Sequence, residues 1–320
     1  MCLYYTDMNI NKQTLSVLSI VFVVCIIIYL CIRTKSIKKT DSDFTLHKAA
    51  WCLQLLNHMS HMESRPPMIA ELDEIPSLTV LRNEYAARNR SLLVRAKRGG
   101  NPAGWPIHKW TLDFLLERYG SETVNVQSGR DTDAKYEENS GLHRVNLKMT
   151  DFIHKLRHGP INGHYMTANN AANNRKLINK LLSTLPNLGP VNDPILDLPK
   201  LTTSGFLWVG GKGVFTPTHH DLTNNFIVQI SGRKRWWVAP TSDMIYMHNH
   251  NHVYSYIDPR KKMDLSKFPN ADKIRWMQFD MEPGDFLFLG EGNWHCVESL
   301  EENVTVTGTC FHNTIKHFTR

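Results

Sequence analysis

Three residues of this chain have the types and spacing to meet at one metal ion. His219 and Asp221 stand two apart in Thr216-Pro217-Thr218-His219-His220-Asp221. On a strand, residues two apart project from the same face, so both can point into a barrel while His220 points elsewhere. A third ligand is available at His295, in Gly290-Glu291-Gly292-Asn293-Trp294-His295, just after an apolar run. Two imidazoles and one carboxylate on one face of a metal leave three positions open, the donor set used for O₂ activation at non-haem Fe(II). A lone His-x-Asp is weak evidence, because such triplets arise by chance and strand histidines are commonly hydrogen-bonded core residues. Lys234 strengthens it. It follows His219 by fifteen positions, across a Ser231-Gly232 turn. A turned-back neighbouring strand there presents an ammonium to the far carboxylate of a bound cosubstrate. The bland alternative for Lys234 is a surface lysine beside a turn.

The elements that must position these groups change character along the chain. From Gly205 onward, short apolar runs alternate with turn residues: Phe206-Leu207-Trp208-Val209 before Gly210-Gly211, Phe226 to Ile230 before Ser231-Gly232, and Arg235 to Val238 before Ala239-Pro240. Phe286 to Leu289 follows Pro283-Gly284-Asp285, and Val304 to Phe311 closes the region. Short strands at this spacing with no helices between them predict a barrel or sandwich. Upstream, Trp110 to Tyr119 reads as an amphipathic helix stopped by Gly120, and residues 150–158 and 172–185 as further helices. Leu92-Leu93-Val94 and Val124-Asn125-Val126 read as short strands. The fold class is mainly β with flanking helices.

The stretch TPTHHDLTNNFIVQISGRKRWWVAP resembles the JmjC-type hydroxylases, among them the asparaginyl hydroxylase of hypoxia-inducible factor, and is more similar still to bacterial cupin-like members of that superfamily. The likeness extends through Leu207-Trp208-Val209-Gly210, through Glu282 to Leu289 and His295, and upstream through GHYMTANNAANNR. It covers residues 70 to 312 and is densest from 204 to 311. The resemblance implies a double-stranded β-helix, or jelly roll, with His219, Asp221 and His295 as ligands of Fe(II). It further implies 2-oxoglutarate as cosubstrate, O₂ as oxidant, and conversion of a C–H bond to an alcohol. Lys234 matches the lysine that pairs with the distal carboxylate of 2-oxoglutarate, and Thr216 and Tyr165 match hydroxyl donors to the same group. Asn225 matches an amide near the metal-bound end. An Asn expected on the last strand is replaced by Thr309 or Cys310, which puts that polar contact in doubt. Phe206, Trp208 and Trp294 are candidates to shield the site, with ordinary barrel core as the alternative. A protein or peptide substrate follows from the resemblance; modified RNA is the other substrate class it leaves open.

Composition narrows the remainder. With 42% hydrophobic and 10% aromatic residues, the 320-residue chain is globular rather than disordered. Its net charge of +7 favours anionic surroundings. The six cysteines are scattered without a CxxC pair, which excludes a disulfide framework or zinc knuckle. Residues 15–32 (LSVLSIVFVVCIIIYLCI) carry no charge. Eighteen helical residues span about 27 Å, close to the ~30 Å hydrocarbon core. Arg33, Lys35, Lys38 and Lys39 follow that run. They predict a single-pass membrane anchor with the C-terminal domain cytoplasmic. The expected organisation is a tail at 1–14, the membrane helix at 15–32, a helical linker at 33–66 and the dioxygenase domain at 67–320. A homodimer is a further expectation. His248, His250 and His252 read as a polar loop near the site's mouth, and Arg260-Lys261-Lys262 as a solvated turn. Two rival functions remain: a membrane-tethered binding module that has lost catalysis, and a cupin enzyme using a different metal.

Overall fold

The apolar runs become strands of two facing sheets. The computed structural model describes residues 69–96, 104, 108–184, 205–221, 223–250 and 253–310, all within one compact unit, Gln54–Arg320. Before the expected barrel come β1 (Ile69–Leu72), β2 (Ser91–Val94), β3 (Thr123–Ser128), β4 (Arg144–Lys148) and β5 (His164–Met166). The barrel contributes β6 (Gly205–Gly210), β7 (Phe215–His220), β8 (Asn224–Ser231), β9 (Lys234–Ala239), β10 (Asn249–His250) and β11 (Tyr254–Ser255). It continues with β12 (Met277–Met281), β13 (Phe286–Leu289), β14 (Trp294–Ser299) and β15 (Asn303–Cys310).

The larger sheet runs β1-β2-β13-β8-β15-β6-β5-β3-β4, and the smaller β10-β11-β7-β14-β9-β12. Successive strands switch sheets: β6, β8, β13 and β15 lie in the larger, β7, β9 and β14 in the smaller. That alternation is a jelly roll, as expected from the sequence. It places the chemistry of one short stretch on both walls of one interior.

The larger sheet is covered on both faces. Helices α1 (Leu112–Tyr119), α2 (Met149–His158) and α3 (Arg175–Leu182) bury Leu115, Phe152, Ile153 and Leu181 in one cluster with Phe286, Phe288, Val304 and Val306. The alternate residues Leu287 and Leu289 instead join Ile227, Trp236 and Val297 between the sheets. A strand buried on both faces reads as a continuous apolar run, hence Phe286-Leu287-Phe288-Leu289. α1 begins at Thr111, whose side chain accepts a hydrogen bond from the Phe114 N–H at 3.2 Å. Outside the smaller sheet, Trp294 packs with Met247, Ile257 and Ile274, so it is core of that outer layer and not a shield of the site.

The expected localisation as a single-pass membrane protein needs correction. Among the described residues no helix is long and apolar enough to cross a membrane. α2, the longest of the three labelled helices, has 10 residues, about 15 Å against ~30 Å of hydrocarbon. The expected tail at 1–14, membrane run at 15–32 and helical linker at 33–66 lie outside the described residues.

Candidate active site

The strand register brings the three expected ligands together. β14 pairs with β7 so that His295 faces His219 directly, and their rings lie 4.2 Å apart, centroid to centroid. Asp221 follows the end of β7, with Oδ2 3.8 Å from His295 Nε2. Ligand atoms of the three residues all lie within 4.8 Å of one another. The imidazoles are held by their own strands. His219 Nδ1 lies 2.8 Å from the Pro217 carbonyl oxygen, and His295 Nδ1 lies 3.1 Å from that of Asn293. A carbonyl only accepts, so each Nδ1 carries a proton and each Nε2 is the nitrogen left to face a metal. Burial first, and the neighbouring His219 second, keep His295 well below the usual histidine pKa and therefore neutral. Asp221 is oriented by Asn225, whose Nδ2 donates to Oδ2 at 2.6 Å, while Thr223 donates to Asn225 Oδ1 at 3.0 Å. Two imidazoles and an oriented carboxylate fit a divalent first-row metal.

The remaining predicted residues line the same cavity, about 340 Å³ in volume. Thr216 on β7, Asn225 on β8, Lys234 on β9 and Tyr165 on β5 all contribute to its wall. Lys234 is only 3% exposed, and its ammonium donates to the Tyr165 hydroxyl at 3.1 Å. Burial pulls the Lys234 pKa down to about 7. Tyr165 is also buried, which raises its pKa, and its side chain bonds that of Thr216. Lys234 does not occupy the strand next to β7, however. β14 lies between β7 and β9, because the turn after β8 crosses from one sheet to the other.

Sequence reasoning missed several groups. Trp236 stacks on His295, with rings 5.8 Å apart and 22° from parallel. Its place in Arg235-Trp236-Trp237 was visible, but not which tryptophan faced inward. Phe206 and Trp208 line the cavity as expected, with Trp208 5.7 Å from Tyr165. Glu137 also lines it, tied to the fully buried Arg130 at 2.6 Å. No sequence signal marked that pair, since the segment around it reads as a polar loop. Of the histidine cluster, His250 stacks on Tyr256 at 3.8 Å and His248 Nε2 lies 3.1 Å from the Pro269 carbonyl, while His252 is outside the described residues. Among the described residues, no second group of three metal-ligating side chains assembles. Arg260 stands in an exposed turn, as expected, where it lies 3.2 Å over the Phe215 ring and pairs with Asp258 and Glu298.

Comparison with known proteins gives a consistent picture. The family described as "Cupin-like domain" matches residues 80–316. "Lysine-specific demethylase 8" of Danio rerio is 25% identical over 247 residues, 72% of this chain and 56% of that protein. "HSPB1-associated protein 1" of Rattus norvegicus is 36% identical over 108 residues, 32% of this chain and 22% of that protein. "Arginine-specific demethylase JMJ20" of Arabidopsis thaliana is 31% identical over 106 residues, again 32% of this chain and 22% of that protein. The chain thus spans between about a fifth and about half of the length of these relatives. Neither a homodimer nor a membrane tether draws support from these similarities.

Proposed function

This chain belongs to the cupin-like domain family, and from that membership we propose that it is an Fe(II)- and 2-oxoglutarate-dependent oxygenase that hydroxylates a protein side chain. One observation carries the reading: His219, Asp221 and His295 converge on one point of a cavity whose buried wall also holds Lys234. We assign the activity to residues 67–320.

His219 and His295 would hold the metal through Nε2 and Asp221 through a carboxylate oxygen. Bound Fe(II) supplies the activation of O₂ and the oxidising power, coupled to decarboxylation of 2-oxoglutarate. The Lys234 ammonium and the Tyr165 and Thr216 hydroxyls would receive the distal carboxylate. A buried cation and a buried anion each remove part of the other's desolvation cost. Asn225 keeps Asp221 turned toward the metal position through its 2.6 Å hydrogen bond. Trp236 and Trp208 wall the interior, limiting the water that reaches it. The demethylase names of two relatives bring protein side chains forward as the substrate class.

Anaerobically purified protein, given Fe(II), 2-oxoglutarate and then air, is expected to release succinate. Asp221→Ala is expected to lower that release at least about 100-fold, since even outer hydrogen-bond partners of metal ligands are worth 10–100-fold. Equal release from the two proteins defeats the reading, and zinc rather than iron in the purified protein points to the different-metal alternative.

A further inference from the structure

We infer that Arg130, in the loop between β3 and β4, is a positioning residue for the far end of the cosubstrate: it fixes the Tyr165 and Thr216 hydroxyls beside the Lys234 ammonium. The inference rests on the oxygenase reading for the identity of that ligand. Arg130 is 1% exposed and stands behind the residues that line the cavity. Its guanidinium lies 4.2 Å from the centre of the Tyr136 ring and 5.2 Å from that of Tyr165. Its Nη2 donates to the Phe215 carbonyl at 2.8 Å, and the Tyr136 hydroxyl donates to the same oxygen at 2.9 Å. That carbonyl belongs to the peptide group leading into Thr216. One planar cation thus holds both hydroxyl bearers, Tyr165 by its ring and Thr216 by the peptide before it. Those two side chains bond each other, and the Lys234 ammonium donates to the Tyr165 hydroxyl at 3.1 Å. Gln127, opposite Tyr165 in the pairing of β3 with β5, also accepts from Arg130. On the other side Tyr165 pairs with Gly210, where a Cβ would lie 2.9 Å from the ring.

Charge assigns the two cations different tasks. The Arg130 guanidinium is already matched, because Glu137 Oε1 accepts from its Nη1 at 2.6 Å. Lys234 is 3% exposed and is paired with no carboxylate among the described residues. A buried ammonium without an anion is costly, and an arriving carboxylate relieves that cost best where ammonium and hydroxyls already converge. Arginine suits the supporting position, since its fork bonds several acceptors in fixed directions while its plane packs on aromatic rings. Lys234 therefore receives the ligand, and Arg130 holds the hydroxyls that share it.

The test is titration calorimetry of the full chain loaded with Mn(II), using N-oxalylglycine and N-methyloxamate, the same molecule without its distal carboxylate. The readout is the ratio of the two affinities, because a general loosening of the fold or of the metal weakens both ligands alike. Arg130→Met/Glu137→Gln removes the ion pair without leaving a lone buried charge. It is expected to lower the ratio at least about tenfold, the worth of one hydrogen bond to a charged group. In a Tyr165→Phe/Thr216→Val background the same change is expected to move the ratio less than about twofold, because the groups it acts through are gone. Tyr136→Leu strips one ring from the guanidinium and keeps the ion pair. It is expected to lower the ratio too, and it decides the matter where the double variant does not fold. An unchanged ratio, equal shifts in the two backgrounds, or a wild-type protein that does not favour N-oxalylglycine overturns the inference. Succinate release measured in parallel keeps the readings apart. An Arg130-dependent preference without release sinks the oxygenase reading alone, and release with an unchanged ratio sinks this inference alone.

Discussion

Lys234 shows how one buried residue sets the behaviour of the site. Its pKa of about 7 lies below the ~10.4 of an unfolded chain. Between those values the unfolded chain binds a proton that the folded one does not, so stability rises with pH across that window. Below pH 7 the folded site must accept the charge and loses that advantage. A dicarboxylate acts in the opposite sense, because it binds the ammonium form. Its affinity is therefore expected to be full well below pH 7, about half of that at pH 7, and to fall by up to about tenfold per unit above it. Titration calorimetry of 2-oxoglutarate with Mn(II)-loaded protein from pH 6 to 9 checks this. Lys234→Met should bind weakly with a flat profile, and a flat wild-type profile would rule the role out. At this scale the sequence was informative where chemistry is local: His219, Asp221 and Lys234 stand in one short stretch. Glu137 was not legible, because its environment is made by Arg130, whose guanidinium is fixed in turn by the Phe215 carbonyl 85 positions away.

Among the elements, the turn from β8 to β9 matters most, because it carries the chain from one sheet to the other and starts the strand that bears Lys234. Gly232 in that turn has φ +65°, and a Cβ there would lie 1.9 Å from the Glu302 carbonyl oxygen. A left-handed backbone costs an ordinary residue about 1–2 kcal/mol, and a clash with main chain adds to it. Gly232→Ala is expected to lose at least about 2 kcal/mol by urea denaturation and to weaken 2-oxoglutarate binding; unchanged stability would show that the turn is not a constraint. The strands themselves were readable as apolar runs between glycine and proline. Their partners were not. Alternation tells which residues share a face but not which sheet a strand joins, so Lys234 was expected beside β7 although β14 intervenes. The helices were placed within a few residues by their apolar spacing, as with 175–182 against the expected 172–185.

For the molecule as a whole, the site joins the two walls of the jelly roll. His219, His295 and Lys234 stand on strands of the smaller sheet, Tyr165 and Asn225 on strands of the larger. On the proposed reading, metal and cosubstrate would bind only the folded arrangement of both sheets, and ligand at 100 times its Kd would add about 2.7 kcal/mol of stability. For a domain of this size that is a rise in Tm of about 5–10 °C. Thermal melts with Mn(II) and N-oxalylglycine are expected to show it, EDTA to reverse it, and Asp221→Ala to abolish it. An equal shift in Asp221→Ala would mean the ligands bind elsewhere.

One residue past His295, β14 turns the opposite way. Cys296 is completely enclosed on the far side of the sheet, against Phe215 and Trp237, and burial pushes its thiol well above the usual range. Oxidative damage to cysteine proceeds through the thiolate. The sulfur nearest in sequence to the proposed oxidising centre is thus both walled off and chemically quiet, so a stray oxidant escaping an unproductive turnover meets tryptophan and histidine before it meets a nucleophilic sulfur.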